Sequence, residues 1–256
     1  MVHSWELRWP DSLVRGGLAA VAAAGFTAVM WPLFPERDAM AVVLHPALIA
    51  GGCWASQLWY ALRATAARTL RVAVTELTGF ANTVTLVRGG LFAVVASFAV
   101  VPQDTTLVWV PALCYGTGVV LDRLDGVVAR TVGSETRVGT RLDMTFDTFG
   151  FVAAPLVAVL WDQLPVWYLS LSTLRYVYRG ALSYRRLRGR PVYDRPDSDL
   201  GRYLAGIQMA FLTVALAPTF PESLVRVAAP FVLAASVAVF IRDFLVASGR
   251  LRRSNR

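Results

Sequence analysis

Lysine is absent from this sequence, and histidine and cysteine occur only twice each among 256 residues. All 25 basic residues are therefore arginine, a bias to which we attach no function because either basic residue serves in a charged loop. Cys53 and Cys114 lie inside apolar runs at a spacing that matches no metal or redox motif, which excludes a cysteine-based site. Charged residues make up only 16% of the chain, too few for an ordinary soluble domain.

Apolar residues dominate what is present, since 56% of the chain is hydrophobic and its mean hydropathy is +0.52. Several apolar runs reach or approach the roughly 18 residues that cross a hydrocarbon core of about 30 Å. The formal charge of +8 would suit a nucleic acid, but the arginines lie between apolar runs and not on a mixed basic and aromatic surface. We therefore predict an all-α polytopic membrane protein, one helical bundle, with no nucleic-acid partner.

Eight apolar segments predict about eight transmembrane helices. They lie near residues 16–34, 39–62, 82–101, 106–121, 144–161, 164–183, 203–217 and 224–247. The first has a basic start, as a signal peptide does, but it is long for that role and lacks a distinct polar cleavage region. We expect it to be kept as the first span.

Arginine-rich connections alternate along the chain with short connections that carry little positive charge. The basic connections lie at 63–71, 122–141, 179–202 and 249–256, so all of them fall on one side of the membrane. The positive-inside rule places that side in the cytoplasm, together with both termini, and we expect an integral protein of the cell (plasma) membrane. Four tryptophans near the opposite ends of the spans are expected to act as interfacial anchors: Trp31, Trp109, Trp161 and Trp167.

The pattern divides the chain into three parts. Residues 1–78 form an N-terminal extension with two transmembrane helices and a basic cytoplasmic connection, and residues 79–247 form a core of six helices. Residues 248–256 form a basic cytoplasmic tail.

Four aspartates stand between two apolar runs in "LDRLDGVVARTVGSETRVGTRLDMTFD", residues 121–147. Asp122 and Asp125 are three apart at the end of one span, and Asp143 and Asp147 are four apart at the start of the next. Both spacings put two carboxylates on one helix face, and an antiparallel hairpin would bring the pairs together. Because clustered carboxylates repel one another, we expect divalent cations with a preference for oxygen, Mg²⁺ or Mn²⁺, to offset their charge.

The residues between the two pairs are small or basic. Gly126, Ala129 and Gly139 leave room for a flat or phosphate-bearing ligand to approach the backbone. Arg130, Arg137 and Arg141 could neutralise part of the cluster, but salt bridges alone would not require two pairs in helical register. Metal together with phosphate is therefore the combination that this stretch indicates.

A family resemblance rests on this stretch and on "NTVTLVR" upstream. The stretch reads Asp122-x2-Asp125-Gly126-x2-Ala129-Arg130-x8-Gly139-x3-Asp143-x3-Asp147, which resembles the motif of the CDP-alcohol phosphotransferase family, integral membrane enzymes that make phospholipids. Asn82, Thr85 and Arg88 resemble the opening of that family's first core helix, although Ala81 stands where a proline often precedes the Asn. The resemblance covers roughly residues 79–247, so the first two spans lie outside it.

The resemblance implies transfer of a phosphoalcohol group from a CDP-linked donor to an acceptor hydroxyl, with release of CMP. It implies two divalent metals held by the four aspartates, with Asp147 also the catalytic base that accepts the proton of the acceptor. It implies a homodimer, and nucleotide contacts from Gly126, Ala129, Gly139, Arg130, Asn82 and Thr85.

The acceptor is a small polar alcohol in our interpretation, and the donor is a CDP-linked lipid such as CDP-diacylglycerol or CDP-archaeol. Arg175 and Arg179, with Arg137 and Arg141, would bind a phosphorylated acceptor, as in family members that use such substrates. Snorkelling at the cytoplasmic end of the span is the alternative for Arg175 and Arg179. The run "DTFGFVAAPL" resembles instead members that use serine.

Other readings stay open at this point. The donor and acceptor roles can be reversed, with a soluble CDP-alcohol and a lipid alcohol, or the carboxylates can bind a cation in a transporter or lipid-binding protein.

Asn82 and Arg88 can be a helix cap and a snorkelling arginine. His45 suits a buried, hydrogen-bonded residue of a kinked helix better than a proton relay. Arg242 and Asp243, being adjacent, would each pair with another neighbour.

Overall fold

The computed structural model describes residues 11–34, 45–63, 80–132, 137–191, 193 and 199–250. Its described part is all helical, with no strand, as the hydropathy pattern predicts. The α-helices are α1 (Asp11–Met30), α2 (Pro46–Arg63), α3 (Phe80–Ser97), α4 (Val110–Val132), α5 (Arg137–Leu160), α6 (Ser170–Leu187), α7 (Asp199–Leu216) and α8 (Glu222–Ala247). Short 3-10 turns occupy Trp31–Leu33, Phe98–Val100 and Val166–Leu169.

Four helices within the described ranges are long and apolar enough to cross a membrane. These candidate spans are Arg15–Leu33, Asn82–Val100, Leu142–Leu160 and Glu222–Ala247, and Gly201–Leu216 is a shorter apolar helix. The predicted spans at 106–121 and 164–183 fall on α4 and α6, which carry several charged residues. The chain is thus a helical membrane protein, whereas the number of crossings, their orientation and the division into six core and two extra helices remain predictions.

The first of two compact units comprises the described residues up to Val101 together with Thr117–Gly150. Within it α1 packs on α2, and α2 packs on α3. Gly51 permits the close approach of α1, because a Cβ there would lie 2.1 Å from Thr27 Oγ1. Five fully or nearly buried residues form its apolar core: Leu58, Ala61, Leu62, Leu142 and Phe146.

The second unit comprises Pro102–Gly116 and the described residues from Phe151 onward, and in it α6 and α7 both pack on α8. A buried polar chain joins its helices, since the Gln208 amide donates to the Tyr168 hydroxyl and accepts from Ser236 Oγ at 2.9 Å. Such pairing satisfies polar groups in an apolar interior, where an unpaired group is costly. Gln208 and Ser236 also line a mostly apolar cavity.

His45 is buried and hydrogen-bonded, as predicted, but the proposed helix kink is wrong. The helix begins at Pro46, where the missing N–H of proline is tolerated, so His45 precedes it. The Ala47 N–H donates to Nδ1 at 3.2 Å, and the resulting tautomer donates from Nε2 to the Phe34 carbonyl at 3.1 Å. His45 therefore caps the start of α2.

Arg242 and Asp243 pair with each other, at 2.8 Å between Nη2 and Oδ1, and each also makes a further contact within the protein. The expectation for one tryptophan needs correction. Trp161 is only 6% exposed and packs inside its unit, so it does not present its ring to lipid. Trp109 and Trp167 are 44% and 47% exposed, as interfacial anchors require.

Candidate functional site

Three of the four predicted aspartates meet in the first unit. Asp122 comes from the last part of α4, and Asp143 and Asp147 come from the first part of α5. Each offers one carboxylate oxygen, and these oxygens lie within 4.8 Å of one another. Their side chains are 27%, 47% and 23% exposed, so a ligand can reach all three from solvent.

Arg88 of α3 lies at the centre of these carboxylates and is 0% exposed. Its Nη1 donates a hydrogen bond to Asp122 Oδ1, and its Nη2 donates to Asp143 Oδ1. Nη2 also forms an ion pair with Asp147 Oδ1 at 3.1 Å. A snorkelling role for Arg88 is therefore wrong, because the guanidinium is fully buried and pairs with carboxylates of α4 and α5.

The charges of the cluster do not cancel. Three carboxylates face one guanidinium, so these four side chains carry a net formal charge of −2 when all are ionised. Burial raises the pKa of Asp122 above its ordinary value, and the nearby charge of Arg88 acts in the opposite direction. The surplus of negative charge favours binding of a further cation.

The residues fit a divalent metal by their chemistry. Carboxylate oxygens are the ligands that Mg²⁺ and Mn²⁺ prefer, and half-buried carboxylates can bind such an ion while part of its water shell remains. Within the described residues this is the group of carboxylates close enough to share one ion.

Packing behind α5 determines where its aspartates point. Leu142 and Phe146, each directly before an aspartate, are fully buried in the core of the first unit. Successive residues of a helix point about 100° apart, so burying this pair turns Asp143 and Asp147 to the adjacent face. The Phe146 ring lies against Gly89, where an added Cβ would approach it to 2.6 Å.

Two glycines hold α4 and α5 close to α3 one turn away from the aspartates. A Cβ at Gly118 would lie 2.5 Å from the Phe92 ring, and one at Gly150 would lie 2.8 Å from the same ring. Gly118 precedes Asp122 by four residues, and Gly150 follows Asp147 by three. Phe92, which follows Arg88 by four, thus fills the space between the two helices directly beneath the ion pairs.

Asn82 and Thr85 lie on the same side of α3 as Arg88, one helical turn apart, and both are buried. Each makes further contacts within the protein. Because α3 begins at Phe80, Asn82 is its third residue and not its N-cap. The helix-cap alternative for Asn82 is therefore wrong.

The other predicted site residues lie on described helices, but their side chains are outside what the structure describes. On α4 these are Asp125, Gly126, Ala129 and Arg130; on α5, Arg137, Gly139 and Arg141; on α6, Arg175 and Arg179. Their assignment to metal, nucleotide or acceptor stays a prediction.

The central position of Arg88 is the main feature that sequence reasoning missed. Its spacing after Asn82 and Thr85 belongs to the motif, but the spacing of the four aspartates predicts a metal site without it. The signal was present, since a charged residue inside an apolar helix usually faces the protein interior and marks a site.

Comparison with known protein families gives a match over the region that carries the site. The sequence model of the family described as CDP-alcohol phosphatidyltransferase matches residues 78–242, which is more than half of the chain. The matched region contains Arg88 and all four aspartates, and it excludes α1 and α2. No curated protein and no solved structure gives a significant match.

Proposed function

Because this chain belongs to the CDP-alcohol phosphatidyltransferase family, we propose that it transfers a phosphatidyl-type group from a CDP-linked lipid to a small polar alcohol and releases CMP. The observation that supports this most directly is the set of three carboxylates from α4 and α5 around buried Arg88. A cation site of this kind at the ends of apolar helices suits a reaction that joins a lipid donor to a water-soluble acceptor.

Asp122, Asp125, Asp143 and Asp147 would hold two divalent cations, Mg²⁺ or Mn²⁺. When bound, these cations supply charge stabilisation to the pyrophosphate of the donor. Arg88 keeps the carboxylates of α4 and α5 together in the protein itself, through its contacts with both helices. It thereby limits the repulsion that would otherwise drive the two helix ends apart.

Asp147 would act as the general base that accepts the proton of the attacking hydroxyl. Its side chain is 23% exposed, and the residue directly before it, Phe146, is buried in the core of the first unit. A base must reach the hydroxyl within hydrogen-bond distance, and rigid packing of α5 supplies that fixed position. The choice of Asp147 over the other aspartates rests on the family resemblance.

The nucleotide would bind beside the carboxylates, against α3 and the last turns of α4. We assign it to six residues: Asn82, Thr85, Gly126, Ala129, Arg130 and Gly139. The buried positions of Asn82 and Thr85, on the side of α3 that carries Arg88, support this assignment. The small residues Gly126, Ala129 and Gly139 would let the backbone approach the ligand.

The acceptor would be a small alcohol, and a phosphorylated one if the arginines of α5 and α6 bind it. Those arginines are Arg137, Arg141, Arg175 and Arg179. Bidentate pairing with phosphate is the usual reason for clustered arginines. The site would face the cytoplasm of the plasma membrane, with both termini on that side and with the chain acting as a homodimer.

Purified protein in lipid nanodiscs tests the proposal directly. CDP-diacylglycerol or CDP-archaeol is supplied with Mg²⁺ or Mn²⁺ and a panel of alcohols, and a parallel reaction supplies a soluble CDP-alcohol with diacylglycerol. CMP and lipid products are measured by mass spectrometry. We expect CMP release and a new phospholipid with at least one alcohol. Product formation only from a soluble CDP-alcohol and a lipid alcohol would reverse the two roles, and cation binding without turnover would favour a transporter or lipid-binding protein.

A further inference from the structure

The two N-terminal helices lie outside the matched region, yet α2 packs on α3, which carries Arg88, and shares a buried cluster with α5, which carries Asp143 and Asp147. We propose that α2 positions this site, and that Trp54 is the positioning residue through which it holds α3. The proposal rests on the proposed function only for its effect on turnover, because its effect on cation binding can be measured without a donor.

The first contact joins α2 to α3 beside Arg88. Trp54 Nε1 donates a hydrogen bond to the Leu86 carbonyl at 3.2 Å, two residues before the guanidinium. Gly90 makes room for this approach, since a Cβ there would lie 3.2 Å from the Phe26 ring and 4.0 Å from Trp54 Nε1. Phe26 of α1 packs on the Trp54 indole with ring centroids 5.0 Å apart, which holds the indole in place.

The second contact joins α2 to α5 behind the aspartates. Leu58, Ala61 and Leu62 of α2 form one buried cluster with Leu142 and Phe146 of α5. Trp54 and Leu86 pack against the same cluster. One face of α2 therefore touches both α3, which carries Arg88, and α5, which carries two of the carboxylates.

These contacts bear on cation binding because the site is sensitive to helix position. Metal and catalytic groups must stay within about 0.5 Å of their working geometry. Arg88 reaches the carboxylates through a long side chain with several rotatable bonds, so its ion pairs do not by themselves fix the backbone of α3 against α5. A hydrogen bond from an indole to a helix carbonyl is directional and strong in an apolar setting. The Trp54 hydrogen bond therefore fixes the position of the α3 backbone, which the Arg88 ion pairs do not fix by themselves.

The test compares full-length Trp54→Phe with wild type and with Trp109→Phe in the same nanodiscs. Trp109 is 44% exposed, so its variant loses an indole N–H outside this contact. Mn²⁺ binding is followed by electron paramagnetic resonance without donor. The kcat and KM of CMP release and the unfolding temperature are measured as well.

For Trp54→Phe we expect the Mn²⁺ dissociation constant to rise about fivefold and kcat to fall about fivefold, as for loss of one hydrogen bond. The donor KM should match that of Trp109→Phe, and the unfolding temperature should fall only by the roughly 2–4 °C expected for one lost hydrogen bond.

Unchanged Mn²⁺ binding and kcat in Trp54→Phe would overturn the proposal, as would an equal loss in Trp109→Phe. Trp54→His, which keeps a ring N–H, should recover part of the Mn²⁺ affinity, and no recovery would also count against it. If Trp54→Phe does not fold, Gly90→Ala moves the same contact and should weaken Mn²⁺ binding. Its control is Gly52→Ala, because a Cβ at Gly52 meets nothing within 4 Å.

The two proposals fail in different ways. A wild type that binds Mn²⁺ but releases no CMP from any donor refutes the proposed function, while the Mn²⁺ affinity of Trp54→Phe still decides the positioning role. A wild type that binds no Mn²⁺ refutes both. CMP release that is the same in wild type and Trp54→Phe supports the function and refutes the positioning role.

Discussion

Arg88 on α3 and Asp143 on α5 are joined by a hydrogen bond from Nη2 to Oδ1, and the arginine is fully buried although the aspartate is 47% exposed. The positive charge thus comes from the interior and the negative charge stays within reach of solvent. This arrangement keeps the carboxylates together and leaves their outer side open to a cation. Arg88 is therefore a structural counter-ion of a site whose ligand approaches from the other side.

Replacing Arg88 should make the stability of the protein depend on divalent cations. In Arg88→Met the three carboxylates lose their buried partner, so we expect a loss of about 2 kcal/mol in the free energy of unfolding without metal. Saturating Mn²⁺ should restore much of this loss, since the cation can replace the missing positive charge. Thermal unfolding in EDTA and in Mn²⁺ measures the effect. Arg186→Met, at an exposed arginine, is the control, and equal behaviour of the two variants would contradict the counter-ion role.

Asp147→Asn should abolish most of the activity while the protein stays folded. The amide keeps the shape of the carboxylate but cannot accept the proton of the hydroxyl, and general-base catalysis typically contributes about 10²- to 10⁴-fold. CMP release with saturating donor and metal measures the loss. Asp104→Asn, at an exposed position, should behave as wild type. A decrease of less than about twofold in Asp147→Asn would show that another group takes the proton.

Gly118→Ala should disturb both stability and activity because it acts on the packing beneath the site. The new Cβ would lie 2.5 Å from the Phe92 ring, so α4 or the ring has to move. Such overpacking typically costs about 1–3 kcal/mol of stability. Here it would also displace Asp122, which lies one helical turn from Gly118. The free energy of unfolding and the rate of CMP release should both recover in the double variant Gly118→Ala with Phe92→Leu. Gly180→Ala, where a Cβ meets nothing within 4 Å, is the control. No recovery in the double variant would mean that Phe92 is not the obstacle.

The meeting of α4 and α5 could be predicted because it depends on local patterns. Apolar runs predict the helices, and spacings of three and four residues put each aspartate pair on one face. The membrane class follows from composition alone. The structure then brings Asp122, Asp143 and Asp147 together, as a helical hairpin requires.

What could not be predicted depends on which helices are neighbours. The role of Arg88 requires α3 to lie against both α4 and α5, and the fit of Gly118 and Gly150 around Phe92 is likewise a three-helix contact. His45 was placed inside a helix because the apolar run continues through it, and only the backbone reveals the helix start at Pro46.

Gln208→Leu should weaken the second unit without changing cation binding. The variant removes the hydrogen bonds to Tyr168 and Ser236 together and leaves their buried polar atoms without this partner, which typically costs about 1–3 kcal/mol. Tyr168→Phe removes only one of these bonds and should cost less. Chemical unfolding of both variants and Mn²⁺ binding at the carboxylates are the measurements. Weaker Mn²⁺ binding in Gln208→Leu would show that the two units are energetically coupled.

Arg175→Ala distinguishes the two interpretations of the α6 arginines. If Arg175 binds an acceptor phosphate, the variant should lose about tenfold or more in kcat/KM with phosphorylated alcohols, as expected for a charged hydrogen bond, and little with unphosphorylated ones. Arg188→Ala, at an exposed arginine beyond the end of α6, is the control for general loss of positive charge. Equal losses on both classes of acceptor would rule out binding of the acceptor phosphate by Arg175. Such a result would instead favour contact with lipid headgroups, because an arginine at the membrane surface acts on every substrate that enters from the bilayer.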